Sequence, residues 1–400
     1  MAIWVSRFRL AVIVLCLAMS GQPLLFEGGA VAAEDSGCRK VRGMVILVEF
    51  PDTPHTVARA FVEDRFFGKL NSYVQDMSYG RVCISGEVTA RWHRLPHPLD
   101  HYSISSRNIN VDKGRVEGLV RDAFEALDAD VDLSSYDFIA LVLGAKQQEY
   151  GMIGLCAYPG MLGWQATSPL RDKNGKPVRG VAIFSYQAHI GTLFHDVAHV
   201  IGGVREDGKR AVPCLYDHDL QARPGPLRET FADSIINMGY WDPMSCHYYR
   251  PNEPPPGISS WTKRRLGWLP EDKVAEVRRG ETREIVLGPL QDGRSDVLAI
   301  RIPLSATTYY LIENRQPLAA DRVLPGSGVL IMHADDSIGE CRQGRAPVKL
   351  VNAAPSVPFL EGAAFDIGKQ DRYADAAAGV TITLLEKVGQ SYRILVNVQP

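Results

Sequence analysis

The sequence predicts an α+β protein, in which a region of alternating strands and helices precedes a β-rich region. Apolar runs and amphipathic helical patterns alternate up to about residue 200, as expected of a mixed α/β layer. From about Glu276, short alternating runs are separated by Gly, Pro and Asp, which predicts a β-sandwich or a similar all-β domain. Because the pattern changes after the loop 251–257, we expect one domain over residues 34–272 and a second over residues 273–400.

Each predicted element depends on a local pattern of apolar residues. Four strands of the first region are continuous or alternating apolar runs, and they cover residues 43–50, 82–89, 136–143 and 181–186. Three helices carry apolar side chains at helical spacing, and they cover residues 59–77, 115–127 and 187–203. The second region contains short alternating strands at residues 283–287, 297–302, 308–312, 328–332 and 380–385.

The charge balance and the distribution of apolar residues exclude several classes of function. The 400 residues include 44 basic and 46 acidic side chains, so the formal net charge is −2. A near-neutral chain without a basic block is not expected to bind nucleic acid. The long apolar run at residues 10–19 has no counterpart downstream, so we predict no membrane span once the N-terminal segment is cleaved.

The N-terminus has the organisation of a secretory signal peptide over residues 1–33. Arg7 and Arg9 precede the apolar run, and small residues follow it near the predicted cleavage site. This pattern predicts a secreted or periplasmic protein. Six cysteines follow residue 33, and an even number in an exported chain predicts three disulfide bonds. Cys38 and Cys83 each adjoin a predicted strand and could link the two strands.

The predicted chemistry of the first domain lies in the helix at residues 187–203. His195 and His199 are four residues apart, so both imidazoles lie on one helical face, one turn apart. Two neutral imidazoles in this arrangement suit Zn²⁺, which accepts nitrogen ligands. Gly202 and Gly203 can end the helix in a left-handed turn. We therefore predict a zinc site on this helix.

A second histidine series has the same spacing but a different context. Pro96 and Pro98 flank the middle member of the series His93, His97 and His101. Because proline prevents a continuous helix, these three imidazoles cannot share a helical face. We predict that they are loop residues without a metal.

Asp196 is the candidate catalytic residue. In H-E-x-x-H metalloproteases, the residue after the first histidine is a glutamate that deprotonates a zinc-bound water. Aspartate has a similar ordinary pKa, so the same acid–base chemistry is available here. Its side chain is one methylene shorter, however, and a displacement of about 1 Å can lower a rate on the order of 10²-fold. Asp196 is therefore either a general base or a helix residue beside an inactive site.

Seven separated blocks of sequence, together with the histidine pair, resemble one protein family. The blocks are VILVEFPD at 45–52, SYVQDMSYGRVCISGEV at 72–88, LPHPLDHY at 95–102, ALDADVDLSSYD at 126–137, GISSWTKRRLGWLP at 257–270, YYLIENRQ at 309–316 and LPGSGVLIMHADD at 324–336. They resemble the immune inhibitor A-like metalloproteases, which are secreted zinc endopeptidases of the metzincin type. The resemblance implies a metzincin-like domain, with a mixed sheet and an active-site helix, that acts on protein or peptide substrates.

The third zinc ligand is where this sequence departs from the family. The family pattern continues from the second histidine through a glycine to a Pro-Asp pair whose aspartate binds zinc. Here GVREDGKRA intervenes, and Cys214 stands at the position of that aspartate. Cys214 is one candidate ligand, although a disulfide with Cys246 is the favoured alternative. Asp217 is then the preferred third ligand, and Glu206 and Asp207 are further candidates.

Two other groups have counterparts in the family. WDPMS at residues 241–245 matches the Met-turn, in which Met244 would form an apolar floor below the metal. His333 lies close to Asp335 and Asp336 in the predicted β-rich domain. This second polar cluster is either structural or a cation site, because two oxygen donors are nearby.

The sequence thus supports two hypotheses of function. The first is an exported zinc endopeptidase, in which Asp196 polarises the attacking water. The second is a catalytically impaired homologue that binds a protein or a glycan outside the cytoplasm. Asp196, Cys214 and the inserted residues favour the second hypothesis, whereas the histidine pair and the Met-turn favour the first.

Overall fold

The strands in the described part of the chain form three sheets. The computed structural model describes residues 37–103, 111–128, 130–151, 154–159, 170–221, 235–245 and 253–400. The strands of the first half are β1 Arg39–Glu49, β2 Val82–Val88, β3 His93–Arg94, β4 Phe138–Leu143, β5 Gly154–Tyr158 and β6 Val181–Ser185. Those of the second half are β7 Val274–Glu276, β8 Thr282–Leu287, β9 Ala299–Pro303, β10 Thr308–Arg315, β11 Gly328–Asp335, β12 Val348–Leu350, β13 Arg372–Asp375, β14 Val380–Val388 and β15 Ser391–Val398.

Most helices of the described residues precede the second half. They are α1 Arg59–Glu63, α2 Asn71–Met77, α3 Leu99–Tyr102, α4 Lys113–Glu125, α5 Gln147–Tyr150, α6 Ile190–Gly202, α7 His218–Gln221 and α8 Ser260–Arg265. A π-helical segment, Asp64–Leu70, joins α1 to α2, so the helix predicted at 59–77 is one helical run. Short 3₁₀ turns lie at Leu133–Ser135, Gly239–Trp241, Pro243–Ser245, Glu271–Lys273, Ala319–Val323 and Pro358–Leu360.

The first sheet has the strand order β2-β1-β4-β6-β5, and β3 pairs with β1. Strand β5 lies at one edge and runs antiparallel to β6, whereas the other pairs are parallel. Successive residues of β1 alternate between two cores. Helix α4 packs in the core of Ile46, and α6 packs in the core of Val45 together with the α1–α2 run. Helices therefore cover both faces, which explains the continuous apolar character of β1 and β4.

The second half contains two largely antiparallel sheets. Their strand orders are β12-β11-β10-β9-β7 and β13-β14-β15-β8. Ile300 and Ile312 of the five-stranded sheet share a core with Ile382 and Ile394 of the four-stranded sheet. The protein is thus a mixed α/β protein with several sheets and few helices, compatible with the α+β class.

One hydrophobic core crosses the domain boundary predicted at residues 272 and 273. Phe194 of α6, Trp241 and Trp268 belong to the same cluster of buried side chains as Leu311 of β10 and Met332 of β11. Residues 38–400 form one compact unit. The α6 helix is therefore packed, through a shared core, onto strands of the second half.

The disulfide predicted between the first two strands is confirmed, but the prediction of three disulfides is wrong. Cys38, next to β1, is bonded to Cys83 of β2. Cys156, Cys214 and Cys341 are buried free thiols. Burial in the core raises the pKa of Cys156 to about 12, which disfavours its thiolate. An even number of cysteines was therefore a poor guide to pairing in this chain.

The other sequence predictions concern the signal peptide, Cys246, membrane spans and the second histidine series. The signal peptide at residues 1–33 and Cys246 lie outside the described residues. Among the described residues, none of the helices combines the length and apolar character that a membrane crossing requires. The prediction of loop conformation for the second histidine series is only partly correct, because His93 is in β3 and His101 is in α3.

Candidate metal centre

Helix α6 presents His195 and His199 on one face and packs its other face into the core. The helix begins after His189, whose Nδ1 accepts the backbone N–H of Gly191 at 3.1 Å. On the packed face, Phe194 contacts aromatic side chains of the shared core. The two imidazole centroids are 4.7 Å apart and their planes are nearly perpendicular. The predicted arrangement of both imidazoles on one side of a helix is confirmed.

Backbone carbonyl groups orient both imidazoles. The Nδ1 atom of His195 lies 2.9 Å from the carbonyl oxygen of Pro243, and that of His199 lies 2.6 Å from the carbonyl oxygen of Val212. A carbonyl oxygen only accepts hydrogen bonds, so each Nδ1 carries the proton. Each neutral ring then presents the lone pair of Nε2, which is the usual state of a metal-binding histidine.

The sulfur of Cys214 lies against both Nε2 atoms. It is 3.6 Å from Nε2 of His195 and 3.4 Å from Nε2 of His199. All three residues are at most 2% exposed. Their ligand atoms lie within 4.8 Å of one another, and this group could hold a metal ion.

A hairpin at residues 203–211 brings Cys214 to the histidines. Helix α6 ends at Gly202, and Gly203 has a φ of +70°, a backbone conformation that favours glycine. The N–H of Ala211 donates to the carbonyl of Gly203 at 2.9 Å, which closes the hairpin. A Cβ atom on Gly202 would lie 2.6 Å from the side chain of Val212. The inserted residues therefore return the chain to α6 rather than separating the ligands.

The chemistry of these three side chains suits a cation, because two imidazole nitrogens and a sulfur converge in one buried group. A cation accepts lone pairs from both imidazoles and from a thiolate together. Burial raises the pKa of the Cys214 thiol, and the Arg210 guanidinium partly offsets this effect. A bound metal ion would further favour the thiolate.

Asp196 lies next to this group but is not part of it. The side chain is 2% exposed, and burial raises the pKa of its carboxyl group to about 8. A hydrogen bond from the backbone N–H of Cys156 and the charge of Arg210 oppose this increase. Its Oδ2 atom is buried, has no hydrogen-bond partner among the described residues and would lie 2.5 Å from a Cβ atom on Gly154. The carboxyl group is thus directed against strand β5.

Arg210 is a residue of the site that the sequence did not reveal. Its Nη1 donates to the sulfur of Cys214 at 3.9 Å, and its Nε donates to the carbonyl of Pro159 at 3.1 Å. It lies four residues before Cys214, in the inserted segment, and no motif singled it out. The available signal was a basic residue in the inserted segment, close in sequence to a candidate ligand.

The other candidate third ligands lie elsewhere. The Oδ2 atom of Asp217 accepts the N–H of Gly344 at 2.6 Å, and its Oδ1 accepts the N–H of Asp219 at 3.0 Å. Glu206 and Asp207 are exposed on the hairpin. The structure therefore brings Cys214 to the histidines, but it does not bring Asp217, Glu206 or Asp207 to them.

Met244 lies in the 3₁₀ turn Pro243–Ser245 beside α6. It is fully buried in the shared core, and the turn also supplies the carbonyl that orients His195. The backbone carbonyl of Met244 accepts the N–H of Leu215, the residue after Cys214, at 2.7 Å. This turn therefore contacts both chain segments that carry the candidate ligands.

His333, Asp335 and Asp336 do not form a site together. His333 is exposed, and its ring contacts Tyr310. Asp335 accepts the hydroxyl of Ser337 at 2.6 Å, a hydrogen bond that lowers the pKa of its carboxyl group. Asp336 pairs with Arg265 at 2.6 Å. Within the described ranges, none of the three belongs to a group of metal-binding side chains.

Comparisons with known proteins add no assignment to this geometry. No protein-family model matches the sequence, and no curated protein is significantly similar to it. The resemblance to the immune inhibitor A-like metalloproteases therefore stays a prediction.

Proposed function

We propose that the protein is an exported zinc-dependent endopeptidase in which His195, His199 and Cys214 bind the metal. The convergence of two Nε2 atoms and one sulfur in a buried group carries this proposal. Bonds of about 2.0–2.1 Å to nitrogen and about 2.3 Å to sulfur, at a tetrahedral angle, place N and S about 3.5 Å apart. The two separations in this chain are 3.6 and 3.4 Å. The donor set and its spacing therefore fit Zn²⁺.

The proposed hydrolysis assigns a separate role to each group. When bound, zinc would supply Lewis-acid chemistry, acidifying a water molecule and polarising a scissile carbonyl. The carbonyls of Pro243 and Val212 hold the imidazoles with Nε2 toward the ion. Asp196 follows the first ligand directly; the positive charge of a bound ion would favour its carboxylate, which would then hold the proton removed from the attacking water. These three ligands, the ones found among the described residues, would leave a fourth position for water or substrate, as in catalytic zinc sites.

Export is the setting that we propose for this activity. The N-terminal sequence resembles a signal peptide, and the Cys38–Cys83 disulfide agrees with an oxidising compartment. Protein and peptide substrates follow from the family resemblance.

A second candidate function is a zinc-containing binding protein without peptidase activity. One observation favours it, namely that the carboxyl group of Asp196 is directed against β5 and accepts the backbone N–H of Cys156. A carboxyl group held in this way would be poorly placed to accept a proton at the metal. In this case the zinc would stabilise the hairpin and α6, and another surface would bind a protein or a glycan.

The metal content of the purified mature protein tests the site first. We expect about one zinc per chain by elemental analysis in the wild type, as for a mononuclear site. His199→Ala should lose the zinc, whereas His97→Ala, which removes an exposed histidine outside the group, should retain it. Absence of zinc from the wild type after incubation with excess metal would contradict the proposal.

Cleavage of an unfolded protein then separates the two candidate functions. The zinc-loaded wild type should cleave reduced casein, and Asp196→Asn should retain zinc but lose cleavage by at least about 10²-fold. Equal cleavage by both proteins would exclude Asp196 as the base. A zinc-loaded wild type that cleaves none of a panel of unfolded proteins would favour the binding protein.

A further inference from the structure

A loop at residues 241–245, here called the floor loop, contacts both segments that carry the candidate metal ligands. The carbonyl of Pro243 accepts Nδ1–H of His195 at 2.9 Å. One residue later, the carbonyl of Met244 accepts the N–H of Leu215 at 2.7 Å. Leu215 follows Cys214 in the chain. A displacement of this loop would therefore turn the His195 imidazole and move the Cys214 sulfur together.

The carboxylate of Asp242 fixes the conformation of the floor loop. Its Oδ1 atom accepts the N–H of Met244 at 2.8 Å, within the loop. Its Oδ2 atom accepts the N–H and the hydroxyl of Ser259 at 2.8 and 2.5 Å. The hydroxyl of Thr262 donates to the same oxygen at 2.7 Å. Asp242 is 1% exposed, so water does not replace these donors.

The donors to Asp242 belong to the start of helix α8. Ser259 is the N-cap residue of α8, and its hydroxyl also accepts the N–H of Thr262 at 3.2 Å. The next residue, Ser260, donates its N–H to the carboxylate of Glu313 on β10 at 2.6 Å. The first turn of α8 thus lies between the floor loop and a strand of the second half.

Arg315 on β10 holds the floor loop from the other end. Its Nη1 donates to the carbonyl of Trp241 at 3.0 Å and to Glu313 at 2.9 Å. Its Nε and Nη2 donate to the two oxygens of Asp321, each at 2.7 Å. Arg315 and Glu313 are fully buried, and Asp321 is 2% exposed. A buried guanidinium with two carboxylates keeps its geometry because each group satisfies the others.

We propose that Asp242 and Arg315 are positioning residues of the metal centre. Through the floor loop, they hold the His195 imidazole and the Cys214 sulfur in the spacing that binds the ion. The second half of the chain is therefore part of the metal centre rather than a separate module. This inference rests on the proposed function, because it takes His195 and Cys214 as ligands. Neither positioning residue belongs to the group of side chains that could hold the ion.

The test compares variants that alter the support of the loop with one that alters an unrelated hydroxyl. Asp242→Asn replaces one acceptor oxygen by an NH₂ group, which in either orientation faces a donor: the N–H of Met244 at the Oδ1 position, or the three donors from Ser259 and Thr262 at the Oδ2 position. Thr262→Val removes a single hydroxyl without changing the shape of the side chain. Thr308→Val is the matched control, because the Thr308 hydroxyl, at the start of β10, bonds to Ser305 and lies outside the support of the floor loop. Arg315 itself is left intact, because its removal would leave two buried carboxylates without their cation.

Two readouts are measured for each protein, one of which needs no metal. The first is the zinc dissociation constant from competition with a chelator, together with the absorption spectrum of the cobalt-substituted protein. Asp242→Asn should raise this constant on the order of 10–100-fold, as expected when the support of a ligand is lost. Thr262→Val should raise it severalfold, and Thr308→Val should leave it unchanged. The second readout is the NMR spectrum of ¹⁵N-labelled histidine in the metal-free protein, in which the Nδ1–H signal of His195 should change in Asp242→Asn.

The two readouts distinguish failure of this inference from failure of the proposed function. A wild type that binds zinc, with variants that bind it equally tightly and show an unchanged His195 signal, would overturn the inference alone. A wild type that binds no zinc would overturn the proposed function, and the His195 signal would then decide whether Asp242 positions that ring. If Asp242→Asn does not fold, the same comparison is made with Thr262→Val.

Discussion

The buried carboxyl group of Asp196 should make the metal-free protein less stable as the pH rises. Burial raises the pKa of this group to about 8, compared with about 3.9 in an unfolded chain. Between these two values the folded state binds the proton and the unfolded state does not. The free energy of unfolding therefore falls with increasing pH, by at most about 1.4 kcal/mol per pH unit. The stabilisation of the folded state by the protonated Asp196 carboxyl is complete below about pH 4 and is lost as the pH rises toward 8.

Asp196→Asn should remove this dependence, because the amide is neutral at every pH. At pH 7, a pKa of about 8 instead of about 3.9 corresponds to a cost on the order of 4 kcal/mol. The metal-free variant should thus be more stable than the wild type at pH 7 and similar to it near pH 4. We would measure unfolding in urea with a chelator present, from pH 4 to pH 8.

The difference between the two proteins is the quantity of interest, since other titrating groups contribute equally to both. Asp207→Asn is the control, because it removes an exposed carboxylate from the adjacent hairpin. It should leave the pH dependence of the wild type unchanged. Parallel stability curves for the wild type and Asp196→Asn would refute the argument that burial holds the Asp196 carboxyl in its neutral form.

Three further predictions concern the residues around the metal group. Cys214→Ser should weaken zinc binding and abolish the thiolate-to-cobalt absorption band of the cobalt-substituted protein, because the sulfur donor is lost; an unchanged band would exclude Cys214 as a ligand. Arg210→Met should slow the alkylation of Cys214 by iodoacetamide in the metal-free protein at a given pH, because the guanidinium that lowers the thiol pKa is absent. Gly202→Ala should destabilise the protein by about 1–3 kcal/mol in urea unfolding, because its Cβ would lie 2.6 Å from the Val212 side chain. Gly37→Ala is the control and should have no effect, because a Cβ atom there would meet none of the described atoms within 4 Å.

Patterns among residues that are close in the chain correctly predicted helix α6 and the buried strands β1 and β4. The helical spacing of apolar residues around His195 and His199 placed both imidazoles correctly, because one turn of helix determines their relative position. The apolar runs of β1 and β4 similarly identified buried strands. These features follow from residues that are close in the chain.

The third candidate ligand could not be chosen in this way. Cys214 and Asp217 are three residues apart, and either would suit zinc chemically. The choice depends on the hairpin closed between Gly203 and Ala211 and on the bond from Leu215 to the carbonyl of Met244. Such contacts join distant parts of the chain, so composition and spacing do not reveal them. The favoured Cys214–Cys246 disulfide is wrong, because Cys214 is a free thiol whose sulfur lies against both imidazoles.

The orientation of the two imidazoles has a consequence for acidic surroundings. Both rings carry their proton on Nδ1, where a carbonyl oxygen accepts it. Any further proton must therefore bind at Nε2, the atom proposed to bind the ion. Protons and the metal would thus compete for the two Nε2 atoms and for the sulfur of Cys214. Release of one ion would be accompanied by the binding of up to three protons. The zinc affinity should therefore fall as the pH is lowered, and acidic surroundings would favour release of the metal.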